Sequence, residues 1–431
     1  MWYTHMLADY VTQLRSGHFP VYAGTTAYAF NGAVYPLRVA PLYQHVAGVI
    51  DLLTGRTLGF VMLQHLVVVA CGVAGIFLSY LTLCRTTPQR RWSAAALSIL
   101  YLSCPGVLGT IYTQDLYMTW MTVPLAPLVA YGISRTFRCD DLRSQVWLAA
   151  PLAGLWWAHA PIAVWFTAIA AFSQGVRLLL STRSPGTIRK AAFGVGLFAI
   201  LAQYPFVSVS EIATPNTGQS VVGPLAHPEK LMEFVTTVFP GALKPISAHA
   251  QLLSDLQLGY AYFAVLGMLL ILTLVFQRAD CSVLLASSCI LLVLVIPVPW
   301  FTATLWRLVP ASVVRITYYW PMQRFYIIIA ASLGTAAQLR FGLGTPTSKG
   351  AKKLFAALLS LGCAWSLWES RQFIGAAHDR ISSQDATLSA SRLENAPLMD
   401  HSYGLFQGLP SYFSNGVMDP SAEIRVFSPG T

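Results

Sequence analysis

Apolar runs recur along this sequence, and many approach the roughly 20 residues that a helix needs to cross a membrane. The chain is 55% hydrophobic and only 10% charged, whereas soluble domains carry about 25% charged residues. A lipid-facing surface accounts for this deficit. We therefore expect an all-α polytopic membrane protein with about ten crossings, near 57–83, 93–112, 116–134, 146–158, 160–181, 189–208, 258–277, 281–305, 323–340 and 354–371.

Two of these crossings come from one long apolar stretch, 146–181. We divide it at the turn Ala158-His159-Ala160-Pro161, because a proline cannot continue the incoming helix without the loss of a hydrogen bond.

Basic residues concentrate in the short loops between the crossings, and the proposed count puts all these loops on one side. Positively charged short loops remain in the cytoplasm, so the longer segments 1–56, 209–257, 306–322 and 372–431 are expected outside. The basic pattern also makes nucleic acid an improbable partner. We expect the bacterial inner membrane, since no N-x-S/T sequon occurs. The basic loop residues are Arg85, Arg90, Arg91, Arg135, Arg138, Arg143, Arg177, Arg183, Arg189, Lys190, Arg278, Arg340, Lys349, Lys352 and Lys353.

Several common active-site motifs are absent from the sequence. It contains no GxxxxGK[ST], GxGxxG after a strand, HExxH or GxSxG, and none of the seven cysteines forms a CxxC pair. A soluble nucleotide-sugar enzyme is therefore disfavoured, and no metal site or disulfide framework follows from the cysteines.

The first outer segment begins with an amphipathic pattern over residues 5–16. His5 and Asp9 lie one helical turn apart on its polar face, so they could meet a common ligand or metal. The alternative is a helix that lies in the membrane interface with a solvated polar face.

Four further residues at the outer ends of crossings are candidates for a site. Asp115 is an acid at the mouth of a membrane helix, although such an acid also caps a helix. His159 lies at an outer turn, where it could instead be an interfacial residue beside tryptophans. Arg315 and Arg324 could bind a phosphate, or they could extend to the interface.

These features, in this order, resemble the bacterial membrane proteins labelled "6-pyruvoyl-tetrahydropterin synthase-related", which look like GT-C glycosyltransferases and YfhO-like proteins. The resemblance covers most of the chain, and each motif is weak alone. Its further elements are Asp115, the turn from His159 to Pro161, and Pro321, Arg324 and Phe325. In the first segment the matching residues are Trp2, His5, Gly17, Pro20, Gly32, Pro36, Pro41 and Leu42.

The resemblance implies a GT-C-like helical bundle that transfers a sugar from a polyprenyl-phosphate donor to an outer acceptor. Asp9 or Asp115 would orient or deprotonate the acceptor hydroxyl, and His5 or a divalent metal would assist. Arg315 or Arg324 would hold the donor phosphate.

One departure from the family leaves other functions open. The family's leading acid aligns with Met1 and is therefore missing, which favours a non-catalytic membrane assembly protein. A transporter or flippase is a third alternative, but the crossings are nearly free of the charged residues that transporters carry at mid-membrane.

The missing acid leads to a testable expectation about the gene. We expect a further transmembrane helix and an acid to be encoded before Met1, and the tail 372–431 to be the start of a β-rich outer domain. Reading the in-frame codons upstream of Met1 checks the first point. A stop codon there would favour the non-catalytic alternative.

Overall fold

The computed structural model describes a mainly helical protein that divides into two compact units. The first unit contains residues 1–39, 44–67 and 375–431, and the second contains residues 40–43 and 68–374. The described residues are 2–18, 21, 23–24, 33–34, 41–86, 91–103, 107–108, 111, 117–180, 185–212, 353, 357, 360–372, 374–375, 413–414 and 417–418.

The regular elements are mostly helices, with two short pairs of strands. The strands β1 (Ala23–Gly24) and β2 (Ala33–Val34) pair antiparallel, as do β3 (Phe413–Ser414) and β4 (Val417–Met418). The helices are α1 (Trp2–Arg15), α2 (Leu42–Leu53), α3 (Phe60–Thr86), α4 (Arg91–Leu102), α5 (Tyr117–Trp120), α6 (Ala126–Arg138), α7 (Leu142–Ala158), α8 (Ala160–Leu180), α9 (Pro185–Ile212) and α10 (360–372).

Three segments in the described part of the chain are long and apolar enough to cross a membrane: Phe60–Arg85, Ile162–Leu179 and Pro185–Pro205. Large apolar side chains on these segments point outward. Val69 is 60% exposed, and Phe172 and Val195 are 52% and 68% exposed. Extended apolar surface of this kind is unfavourable in water but suits a lipid environment. The described structure is therefore that of an α-helical membrane protein.

The predicted division between two helices at His159 is confirmed. Helix α7 ends at Ala158, His159 has extended backbone angles, and α8 begins at Ala160. The predicted crossing 160–181 closely matches α8. The predicted crossing 189–208 lies within α9, which is longer at both ends. The predicted crossings 258–277, 281–305 and 323–340 lie outside the described residues.

Two predicted crossings differ from the structure. The stretch 116–134 is not one helix, because the short α5 is followed by turns over 121–125 before α6 begins. Pro124 and Pro127 remove the backbone donors that a continuous helix would need there. The predicted crossing 93–112 is interrupted: α4 ends at Leu102, Ser103 lies in a turn, and residues 107, 108 and 111 are again helical.

Helix α1 matches the predicted amphipathic helix, with one difference. Its apolar residues Leu7, Tyr10 and Val11 are buried, as the periodicity predicts. Asp9, which we placed on the polar face, is only 2% exposed. The prediction of a fully solvated polar face is therefore wrong for this helix.

Prolines in the second unit leave backbone carbonyls without their usual helical donor, and side chains from neighbouring helices donate to them instead. Pro127 cannot donate to Val123, whose carbonyl accepts from the Tyr101 hydroxyl at 2.9 Å. Pro205 cannot donate to Leu201, whose carbonyl accepts from the Trp157 indole at 2.8 Å. Such replacement donors are needed wherever water is excluded.

The same pattern occurs at Pro124, four residues after Trp120. The carbonyl of Trp120 accepts from the Val123 N–H at 3.0 Å and from the Cys71 thiol at 3.1 Å. The thiol belongs to α3, so this contact also joins α3 to the break between α5 and α6.

Small residues allow close approach between helices in the second unit. A Cβ on Gly132 of α6 would collide with the backbone of Trp147 and Leu148 in α7. Ser103, which follows α4, and Ser366 of α10 have their hydroxyl oxygens 2.8 Å apart. Close backbone approach and interhelical hydroxyl contacts are typical of helices packed in a membrane.

The Tyr101 contact gives a prediction about stability. Tyr101→Phe removes only the hydroxyl and leaves the Val123 carbonyl without that donor in a buried position. We expect a loss of about 1–3 kcal/mol in the free energy of unfolding, measured by thermal unfolding in detergent. Tyr80→Phe, in the partly exposed part of α3, is the control and should lose less; equal losses would contradict the assigned role of the Tyr101 hydroxyl.

Candidate functional site

The first unit contains a cavity between α1 and the part of α2 that follows Tyr43. The Tyr10 hydroxyl lies 3.3 Å from Nδ1 of His45, and Arg15 pairs with Asp51. The two contacts join residues 35 and 36 positions apart, so the helices run in the same direction. A Cβ on Gly48 would lie 2.5 Å from Cδ1 of Leu14, which shows how closely the helices approach.

Both helices end with a glycine in the left-handed conformation. Gly17 has a φ of 87° and Gly55 a φ of 65°. Their amides donate to the carbonyls of Leu14 and Leu52, which is the usual glycine ending of a helix. Arg56 follows with a φ of 63°, a conformation that is uncommon for a residue with a side chain.

An arginine–carboxylate pair joins the two helices at this end. Arg15 donates from Nε to Oδ2 of Asp51 at 3.0 Å and from Nη2 to Oδ1 at 2.5 Å. The Asp51 side chain is 4% exposed, and hydrogen bonding to its carboxylate raises the pKa of Arg15. The guanidinium also lies 5.2 Å from the centre of the Phe60 ring, and Nη1 of Arg56 donates to the Arg15 carbonyl at 3.3 Å.

The cavity has a volume of about 220 Å³, below the roughly 300–1,000 Å³ that is typical for drug-sized ligands. The positive charges of its two arginines are offset by the negative charge of Asp51 and by the partial negative charge of two helix C-termini. A nearly balanced site of this size suits a neutral polar group, such as one sugar unit, better than a phosphate. Its lining residues are Tyr10, Leu14, Arg15, His45, Gly48, Val49, Asp51, Leu52 and Arg56.

The described residues do not fit a metal ion. No group of three or more His, Cys, Asp or Glu side chains that could hold one occurs in the described part of the chain. The Asp51 carboxylate is already bound by Arg15.

The structure places His5 and Asp9 on α1, on the same helix as the cavity residues Tyr10 and Arg15. Asp9 is buried. Burial of a carboxylate is costly unless it is compensated, so such a residue is a strong functional candidate. The side chain of His5 lies outside the described residues.

His159 occupies the junction between α7 and α8. Its amide donates to the Leu155 carbonyl at 2.7 Å, and its own carbonyl accepts from Ala163 at 3.1 Å. Burial lowers the pKa of the imidazole to about 3. The ring is therefore neutral at pH 7 and could contribute a hydrogen bond, but no positive charge, to substrate binding.

Asp115, Arg315 and Arg324 lie outside the described residues. The cavity residues around Asp51 were not among the sequence candidates. One signal could have found them: Asp51 is the single acid between Asp9 and Asp115, and an acid in so apolar a stretch is a functional candidate by default.

A separate polar cluster in the second unit joins the α6–α7 turn to α8 and α9. Asp140 pairs with Arg177 at 2.5 Å and with Lys190 at 2.9 Å, and it accepts from Thr187 at 2.9 Å. Hydrogen bonding to Lys190 is the main cause of a lowered pKa of Asp140. Two of the basic loops assigned to one side thus meet at the same end of the helices.

This cluster should make stability depend on pH. Because the pKa of Asp140 is lower in the folded protein, its contribution is complete above the ordinary value of 3.8 and disappears as the pH falls through the lower folded value. Asp140 is 42% exposed, so we expect Asp140→Asn to cost only about 1 kcal/mol at pH 7. Thermal unfolding of the native chain and of Asp140→Asn at pH 7 and pH 3 measures this cost. An equal difference in stability between the two proteins at both pH values would contradict an electrostatic origin.

Comparison with known proteins gives no assignment for either unit. No protein-family model matches the chain, and no curated protein matches it.

Proposed function

We propose that this protein is a GT-C-like glycosyltransferase that moves a sugar from a polyprenyl-phosphate donor to an acceptor outside the cytoplasm. The observation that supports this best is the cavity in the first unit, beside a helix that buries Asp9. An ordered cavity with a few polar groups and an apolar lining is the usual form of a small-ligand site.

The proposal includes the arrangement of the whole chain. We propose about ten crossings, in accord with the ~20-residue apolar runs, in the bacterial inner membrane. The basic loops would face the cytoplasm, and the segments 1–56, 209–257, 306–322 and 372–431 would face outward. Three crossing-length helices and the meeting of basic loops at Asp140 support this arrangement.

The reaction would need one carboxylate that acts as a base and one cationic side chain that binds the phosphate. The carboxylate of Asp9 or Asp115 would accept the proton of the acceptor hydroxyl as its oxygen attacks the anomeric carbon. The bond from that carbon to the phosphate would break, and polyprenyl phosphate would leave with the bonding electrons. Arg315 or Arg324 would hold this phosphate by charge-assisted hydrogen bonds. His5 would assist the acid, and His159 would contact substrate.

The cavity itself would hold a neutral sugar unit. The Tyr10–His45 pair and the Arg15–Asp51 pair present donors and acceptors to hydroxyl groups. The apolar side chains of Leu14 and Leu52 would contact the sugar's carbon face.

Conservative substitution of the two acids tests the proposal. Asp9→Asn and Asp115→Asn each keep the side-chain volume but remove the basic oxygen. One of these two carboxylates serves as the catalytic base in the proposed mechanism. Its Asn variant should fold normally and transfer sugar at a rate lower by about 100-fold or more. The assay is transfer of a labelled hexose from a panel of polyprenyl-phosphate hexoses by the purified full chain.

Glu369→Gln, in α10, is the matched control and should retain transfer. Full activity in both Asp variants would remove both acids from the mechanism. Binding of a polyprenyl-phosphate hexose by the native chain without any transfer would favour the non-catalytic assembly protein instead.

A further inference from the structure

The second unit carries an unusual group of cationic and aromatic side chains where α3 ends and α7 begins. Arg85 is the last residue of the candidate span Phe60–Arg85. Its guanidinium lies 4.9 Å from the centre of the Trp147 ring. Arg143 precedes Trp147 by four residues on α7, so both side chains lie on the same face of that helix.

Two more side chains, Tyr131 and Arg135, belong to this group. The Tyr131 ring meets Trp147 edge-on, with 5.6 Å between ring centres. The Tyr131 hydroxyl accepts from Nη1 of Arg135 at 3.2 Å. Trp147 therefore contacts Arg85 of α3 and the ring of Tyr131, whose hydroxyl binds Arg135 of α6.

In the part of the chain that the structure describes, the two acids of the α6–α7 turn do not neutralise the exposed arginines. Asp141 caps α7 through the Ser144 amide at 2.7 Å and pairs with Arg135. Asp140 pairs with Arg177 and Lys190. Arg85 and Arg143 are both exposed, and neither has an ion-pair partner among the described residues.

We propose that Arg85, Arg143 and Trp147 form a binding site for the phosphate headgroup of an anionic phospholipid. Guanidinium groups bind phosphate oxygens through paired hydrogen bonds. Basic pockets between membrane helices on the cytoplasmic side are the usual positions for such headgroups.

The position along the helices favours a lipid over a soluble anion. Arg85 ends a crossing-length apolar segment, so its side chain would lie at headgroup level. Tryptophan side chains also prefer that level of the membrane. A lipid bound there could place its acyl chains along the apolar surface of α3, where Phe77 is 56% exposed.

The test measures thermal unfolding of the full chain in detergent as phosphatidylglycerol is added. We expect a saturable rise in unfolding temperature with phosphatidylglycerol, but not with phosphatidylcholine or glycerol phosphate. Arg143→Gln should weaken the apparent affinity about tenfold, as expected for a lost hydrogen bond to a charged group. Arg85→Gln should have a similar effect, which covers the case in which one of the variants fails to fold.

Arg189→Gln is the matched control, because Arg189 is an exposed arginine in the first turns of α9. It should keep the affinity of the native chain. An equal loss in Arg143→Gln and Arg189→Gln would show a diffuse charge effect and overturn the site. An equal rise with glycerol phosphate would assign the site to a soluble anion, and no rise with phosphatidylglycerol would also overturn the proposal. None of these outcomes depends on glycosyl transfer.

Discussion

The second unit depends on one constraint: each backbone carbonyl that loses its helical donor at a proline must receive a hydrogen bond from another group. In an apolar environment, an unpaired backbone carbonyl costs several kcal/mol, so each break in a helix needs a donor from elsewhere. Tyr101 supplies one to Val123, and Trp157 supplies one to Leu201. These donors come from neighbouring helices, and therefore the same contacts that repair the breaks also fix which helices are adjacent.

Hydropathy predicted where the long helices occur, but not where they are interrupted. The spans of α3, α8 and α9 follow from long apolar runs, since a crossing requires little more than length and low polarity. The break between α5 and α6 was missed, because Pro124 and Pro127 lie in a run that is apolar enough to read as one crossing. Proline is tolerated in membrane helices when tertiary donors exist, and a sequence alone does not reveal those donors.

The candidate site was partly predictable for a similar reason. The periodicity of residues 5–16 located α1 and its apolar face, because that face is defined by spacing along one helix. It did not reveal that Asp9 would be buried or that Arg15 would pair with Asp51. The Arg15–Asp51 pair depends on a second helix about 36 residues later, and helical periodicity carries no information about such a partner.

The charge distribution of the second unit would link the proposed topology to the proposed lipid binding. The acids of the α6–α7 turn are used internally, since Asp140 joins α8 and α9 and Asp141 caps α7. Arg85 and Arg143 therefore have no ion-pair partner among the residues that the structure describes, and both lie at ends of helices. An excess of positive charge in short loops retains them in the cytoplasm during insertion. In the proposed orientation this end of the helices would face an anionic leaflet after insertion, so Arg85 and Arg143 would both help to orient the chain and bind phospholipid.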